Sequence, residues 1–321
     1  MEQHRSGIPS FQARGEISLE LVHATEAAAL ACARLLGKGD PDRISDGAGD
    51  ALRGALERSG LTGTVVLSPH QTYLVPGTVI TGGDRQVDLG VYPVEGASQV
   101  ARGHIHAVSL LVAVEPGGFA RLPKVSQAEK MVAGPAARGA IDLDDPIADN
   151  LRRIAFALDV RVQDLTVAIL ERPRHQDLIA EVAAAGARIR TLEEGDFASS
   201  VMAALAGTGI DAAIGTGDLH GALIAACAVR CLGGEFQARL VPRNDDEREL
   251  LGDHASRVYG IAELAPASDI TVAITGVTGG PLLPGVTFGS GYAETASLLM
   301  SSRHATVRRL TTRHHVVGNA S

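Results

Sequence analysis

The sequence predicts an α/β protein. Apolar residues at helical spacing alternate along the chain with short β-type runs, and Gly and Pro punctuate the joints. Of 321 residues 45% are hydrophobic but only 3% are aromatic, with no Trp, so Ala, Val, Leu and Ile must fill the core. Such small side chains suit helices packed closely on sheets. The length allows one large domain or two closely packed ones.

After a polar lead-in, "ISLELVHATEAAALACARLLGKGD" (17–40) carries helical periodicity and stops at Gly37 and Gly39. "DGAGDALRGALERSG" (46–60) reads as a second helix with Asp46 near its start, where a carboxylate meets exposed amides. "GTVVLS", "QVDLGVYP" and "AVSLLVAVEP" follow as strands, and "DPIADNLRRIAFALD" as a helix. "LTVAILERPRHQDLIAEVAAAGARIRTLEEGD" (165–196) reads strand, loop, helix, strand, a βαβ-like unit. "DAAIGTGDLHGALIAACAVRCLGG" (211–234) repeats the strand, Gly-rich turn and helix, and ligands gather at such strand-to-helix turns in open sheets. "DITVAITGVTGGPLLPGV" is a late strand with a Gly-rich turn, and "RHATVRRLTTRHHVV" a closing strand with basic residues on alternate positions. The expected division is a polar tail over 1–16, an N-terminal part over 17–162 and a C-terminal α/β part over 163–321.

A formal charge of −8 argues against a general nucleic-acid binder, whose phosphate contacts come from Lys and Arg. Cys32, Cys227 and Cys231 form neither a disulfide framework nor a zinc pattern and read as small buried hydrophobes. No run has the apolar length to cross a bilayer and the N-terminus lacks a signal-peptide core, so a cytoplasmic protein is expected. No Rossmann fingerprint, Walker loop or nucleophile elbow is complete.

Taken in order, "TEAAALACARLLGKGD", "SDGAGDAL", "VYPVEGA", "EKMVAGPAARGAIDLDDPIADNLRRIAFAL", "ERPRH", "EEGD" and "ATVRRL" resemble the class II fructose-1,6-bisphosphatases of bacteria, from about Ile17 to about Val316. The resemblance implies a layered α/β/α/β/α sugar-phosphatase fold, like that of fructose-bisphosphatases and inositol monophosphatases. It also implies removal of the 1-phosphate of fructose 1,6-bisphosphate with divalent metal. Metal serves such hydrolysis by generating the nucleophile and absorbing developing charge, and Mg²⁺ wants several oxygen ligands. In the family these come from an A-D-G turn, a G-E-G-E turn, a V-D-P-I-E-G-T turn and a G-G-A-P-E-G turn.

Carried onto this chain, the A-D-G acid is Asp46. The G-E-G-E turn reads "SPHQ", placing Pro69 and Gln71 where acids stood. In "VYPVEGA" the first acid is Tyr92, the second remains as Glu95, and the final Thr is Ala97, with Ser98 beside it as a further contact. The last turn reads "GDLHG", its Glu falling on Gly221 or, with a one-residue slip, His220. The phosphate-gripping K-P-R loop is "RPR", giving Arg172 and Arg174, and Arg suits bidentate phosphate recognition. Glu194 and Asp196 stand in the D-G-D turn for hydroxyl contacts, and Gln127 replaces a substrate-contacting Tyr.

Several functions fit this set. The preferred one is a diverged enzyme acting on a phosphorylated sugar by metal-independent acid–base chemistry: elimination, isomerisation or epimerisation. Tyr92, His70 and His220 would move protons while Asp46 and Glu95 serve as base or hydroxyl anchors. "GHIHAV" adds His104 and His106 at strand spacing. No cofactor is expected on that reading. The alternatives are a residual Mg²⁺- or Mn²⁺-dependent phosphatase holding metal on Asp46 and Glu95, a Zn²⁺ site rebuilt with His, and a non-catalytic phosphosugar-binding subunit. His4, His23, His254, His304, His314 and His315 read as ordinary surface or capped residues. A phosphorylated sugar is the expected partner, with neither nucleic acid nor membrane, and a homodimer or homotetramer the expected assembly.

Overall fold

The computed structural model describes residues 18–69 and 74–315. Helix α1 (Ser18–Ala33) is followed by Gly37 and Gly39, whose φ of +71° and +78° turn the chain where a side chain would be strained. Helix α2 (Pro41–Glu57) starts ahead of the expected Asp46, because Asp40 followed by Pro41 is the stronger start signal. The Asp40 carboxylate accepts the Arg43 amide at 3.0 Å, so Asp46 lies within the helix and not at its cap.

Strands β1 (Leu61–Leu67), β2 (Val79–Thr81) and β3 (Arg85–Glu95), the short helix α3 (Ala97–Arg102) and β4 (Val108–Val114) come next. The His104–His106 segment is a loop, contrary to the strand expected there. Gly103 ends α3 in a left-handed turn, and the His106 amide donates to the Gly279 carbonyl at 2.7 Å from a backbone at φ +84°. The two imidazoles therefore do not share a strand face. The chain continues with β5 (Gln127–Ala133), α4 (Ile147–Ala157), β6 (Thr166–Leu170), α5 (Gln176–Ala184) and β7 (Arg188–Leu192). β6 and β7 pair in parallel, so the expected βαβ unit is present. Helix α6 (Asp196–Ala204), β8 (Ala212–Asp218), α7 (Leu219–Cys231), β9 (Glu235–Val241), α8 (Asp245–Leu251), β10 (Val258–Gly260) and α9 (Ile261–Leu264) lead to the last strands. These are β11 (Ile270–Gly276), β12 (Thr287–Gly289), β13 (Tyr292–Ser301) and β14 (Thr306–His315).

One sheet has the order β12-β13-β11-β4-β3-β1-β2, with β14 also on β13; the other runs β10-β9-β5-β8-β6-β7. Side chains alternate across each sheet and so define the layers. On β4, Leu111 and Ala113 meet α1 and α2, whereas Leu110, Val112 and Val114 meet α6 and α7. On β5, Ala128 and Val132 face α6 and α7, whereas Met131 and Ala133 face α4 and α5. The result is the five-layer α/β/α/β/α arrangement that the resemblance implies, with α6 and α7 sandwiched between the sheets. Both sheets take strands from either side of residue 162: β5 lies in the second, and β11 to β14 in the first.

The sandwiched position explains the composition. α7 is buried on nearly every side, and its Ala, Leu, Ile and Cys residues let two sheets approach one helix. Burial pushes the Cys32 and Cys231 thiols up to about 12 and Cys227 higher still, which makes all three unreactive core residues. Among the described residues no helix is long and apolar enough to cross a membrane.

Candidate functional site

The sandwiched helices begin where strands of both sheets end. There a cavity of about 180 Å³ is walled by the β3 end (Tyr92, Glu95), the loop before α5 (Arg172, Arg174), the turn into α6 (Glu194, Asp196) and the turn into α7 (Asp218, Gly221). Six residues picked out by sequence thus come together: Tyr92, Glu95, Arg172, Arg174, Glu194 and Asp196.

Glu95 is 3% exposed, and both of its oxygens are engaged. Oε1 accepts the Phe197 amide at 2.8 Å and Oε2 the Ala198 amide at 2.9 Å, so the carboxylate caps the first turn of α6 from another strand. Gly195, the residue before that helix, has φ +104° and carries no capping side chain, which leaves those amides to Glu95. Burial raises the Glu95 carboxyl to about 7, outweighing the two amide bonds that favour the charge. Tyr92 is raised well above its ordinary value, by burial first and then by the charges of Glu95, Asp218, Asp196 and Glu194, so its phenol stays protonated.

Asp196 is anchored from below. Lys130, 1% exposed on the central strand β5, donates from Nζ to Asp196 Oδ1. Next to this pair, His175 is held neutral: Nδ1–H donates to the Leu170 carbonyl at 2.8 Å and Nε2 accepts the Thr216 amide at 2.9 Å. Burial lowers its basicity, as that arrangement requires. Arg174 donates through Nε and Nη2 to the Thr216 carbonyl at 3.2 and 2.7 Å, and Arg172 to the Glu171 carbonyl at 2.9 Å. Among the described residues neither guanidinium has an acid partner, so both keep their charge for a ligand.

β8 passes closely beneath these groups. A Cβ at Gly217 would collide with Asp196 Oδ2 and lie 2.8 Å from its Cγ. Gly217→Ala is therefore expected to push the Asp196 carboxylate off Lys130 and cost about 2 kcal/mol of stability. A urea melt that matches the parent's would show that the carboxylate has room to move aside.

The remaining sequence-selected residues sit elsewhere. Asp46 is half-buried on α2 and does not line the cavity; Gln127 starts β5, and Ser98 lies in the first turn of α3, both half-buried and outside the wall. Gly221 lines the cavity, while His220 faces a neighbouring one, its Nδ1 2.7 Å from the Ser68 carbonyl. His70 and Gln71 lie outside the described residues. Sequence reasoning passed over Lys130, His175 and Asp218. Asp218 had a readable signal, an Asp before a helical run, and it does cap α7 by accepting the Gly221 amide at 2.7 Å. Lys130 was visible only as one cation inside an apolar stretch.

The divalent metal implied by the resemblance fits these residues poorly. Pro69 and Gly221 bring no donor, Tyr92 brings a protonated phenol, Glu95 has both oxygens on amides, and Asp196 holds Lys130. Among the described residues no three His, Cys, Asp or Glu side chains are grouped to hold a metal ion.

The fold, and a cavity at the strand ends where two arginines face four carboxyl groups, are those of a sugar-phosphatase-type protein. Residues 15–314 match the family described as bacterial fructose-1,6-bisphosphatase, glpX-encoded. Fructose-1,6-bisphosphatase 1 class 2 of Escherichia coli strain K12 is 32% identical, with 94% of this chain and 96% of that protein covered. A fructose-1,6-bisphosphatase class 2 of Shigella flexneri matches with the same identity and coverage. The chain belongs to the bacterial class II fructose-1,6-bisphosphatase family.

Proposed function

We propose that this chain binds a phosphorylated sugar in the Tyr92–Asp218 cavity and lacks the metal-supported hydrolysis for which its relatives are named. The observation that carries this is Glu95, whose two carboxylate oxygens are committed to the α6 amides beside a protonated Tyr92. Arg172 and Arg174 would take the phosphate, while Glu194 and Asp196 accept hydrogen bonds from sugar hydroxyls. With fructose 1,6-bisphosphate and Mg²⁺ or Mn²⁺ no phosphate release is expected; turnover of about one per second or faster, ordinary for enzymes, would overturn the reading. Calorimetric titration with the same ligand should show binding, weakened roughly tenfold or more by Arg174→Ala, as loss of a charge-assisted contact requires. No heat of binding with any phosphorylated sugar would equally refute it.

One observation favours a second reading. A carboxyl poised at about 7 can both take and give a proton at neutral pH, and Glu95 is such a group at the cavity wall. The bound sugar phosphate would then be isomerised, epimerised or opened to elimination without metal. Deuterium exchange from solvent into a bound sugar phosphate, abolished in Glu95→Gln, would establish this; its absence leaves binding alone.

A further inference from the structure

Two more cavities follow from the Tyr92–Asp218 cavity, each bordering the one before it. The first, about 370 Å³, shares Asp218 with it and is walled by Ser68, Pro69, Ser126 and His220. The second, about 710 Å³, shares Ser126 and His220 with the first and is otherwise faced mainly by apolar groups, among them Val66, Leu122, Leu219 and Leu223. Asp218 therefore stands at the junction of the first pair of cavities and His220 at that of the second. Pro69 and His220 occupy, or directly adjoin, turns where the family carries acids that this chain lacks.

His220 is fixed at its junction. Its Nδ1 meets the Ser68 carbonyl at 2.7 Å and the Ser68 amide at 3.4 Å, so among the described residues Nε2 is the ring nitrogen left for a ligand. The large cavity has the size and character of a small-molecule site, mostly apolar with a few polar groups that fix orientation. An apolar wall of this kind gains by taking an apolar group out of water. Arg121 and Lys124 line the same cavity, and among the described residues neither has an acid partner. Cations beside an apolar cavity favour an aromatic guest, because a ring face attracts positive charge.

We infer that the three cavities form one elongated site, and that the ligand is a sugar phosphate bearing an aromatic substituent at the end remote from its phosphate. The phosphate lies at Arg172 and Arg174, the sugar passes Asp218, and His220 Nε2 hydrogen-bonds a sugar hydroxyl near the linkage. The ring fills the cavity between Val66 and Leu223. This inference rests on the phosphosugar reading above but goes beyond it.

Calorimetric titration of the full chain with glucose 6-phosphate and with phenyl β-glucoside 6-phosphate tests it. The phenyl ligand is expected to bind at least tenfold more tightly. Ala120→Trp, at a half-buried loop position of the large cavity only, should remove that gain while leaving glucose 6-phosphate unchanged. Leu122→Trp, on the same loop, serves as an independent block should the first variant fold poorly. Equal affinity for the two ligands, or a gain that survives both tryptophans, overturns the aromatic subsite and spares the phosphosugar reading. Failure of both ligands, together with fructose 1,6-bisphosphate, overturns both.

Discussion

Lys130→Met is expected to cost about 3 kcal/mol of folding stability, the lower end of the range for removing one member of a buried ion pair. Lys130 is 1% exposed on β5, and the Asp196 side chain that it holds is 23% exposed on the cavity floor. Methionine matches the stem of lysine in bulk, so the loss reads the charge and not a void. What remains is a carboxylate among Glu95, Glu194 and Asp218 with its nearest cation gone. The partial access of Asp196 to water keeps the cost from reaching the upper end. Adding Asp196→Asn should recover part of the loss, since no unpaired charge then remains; urea midpoints for the parent, both single variants and the double measure the coupling. Additive single losses would mean that the two side chains do not act as a pair.

The same charges give the tyrosine a physical reason. Burial first, and then the four carboxyl groups around it, hold the pKa of the Tyr92 phenol up. An aspartate at that place, without a dication to neutralise it, would add negative charge to a wall that already carries four carboxyl groups. A phenol fills the space, keeps its proton and adds no charge. Tyr92, Pro69 and Gly221 thus agree in bringing no carboxylate to their turns. Lys130 and the α6 amides, which lie beneath the wall, now carry the balance for Asp196 and Glu95.

Much of the architecture was legible in the sequence because its signals are local. The α2 and α4 stripes, the strand-turn-helix of 165–196 and the Gly-rich turn before α7 could each be placed from spacing and punctuation. α6 could not, since "DFASSVMAA" is buried on all sides between two sheets and has no polar face to betray its period. β5 was hidden likewise: it pairs with β8 and β9, faces helices on both sides, and carries a lysine where a central strand should be apolar. Within the site, motif comparison brought Tyr92, Glu95, the two arginines and the Glu194–Asp196 turn onto one wall. It could not show that Glu95 bonds to amides about a hundred residues away in sequence, nor decide between His220 and Gly221. Both are facts of tertiary placement.

Glu95 supplies the strongest pH dependence. Its carboxyl stands at about 7 in the folded protein against an ordinary 4.5, so between those values the native state holds more proton than the unfolded chain. Stability from this group is therefore complete below about pH 4.5 and is lost as pH rises through 7, with a total of about 3 kcal/mol. His175 acts in the opposite sense, because its lowered folded value makes stability fall as the solution is acidified through the ordinary imidazole range. The difference between parent and Glu95→Gln removes that background. Glutamine cannot titrate, and with one carbonyl it can accept only one of the Phe197 and Ala198 amides. At pH 5 the variant should be less stable than the parent by about 1–3 kcal/mol, the cost of leaving a buried amide unpaired. By pH 8 the parent loses the advantage of its protonated carboxyl and the two stabilities converge. Urea titrations at half-unit steps from pH 5 to 8 read this directly. Parallel stability profiles would mean that Glu95 ionises at an ordinary carboxylate pH and that the α6 amides, not burial, dominate its charge.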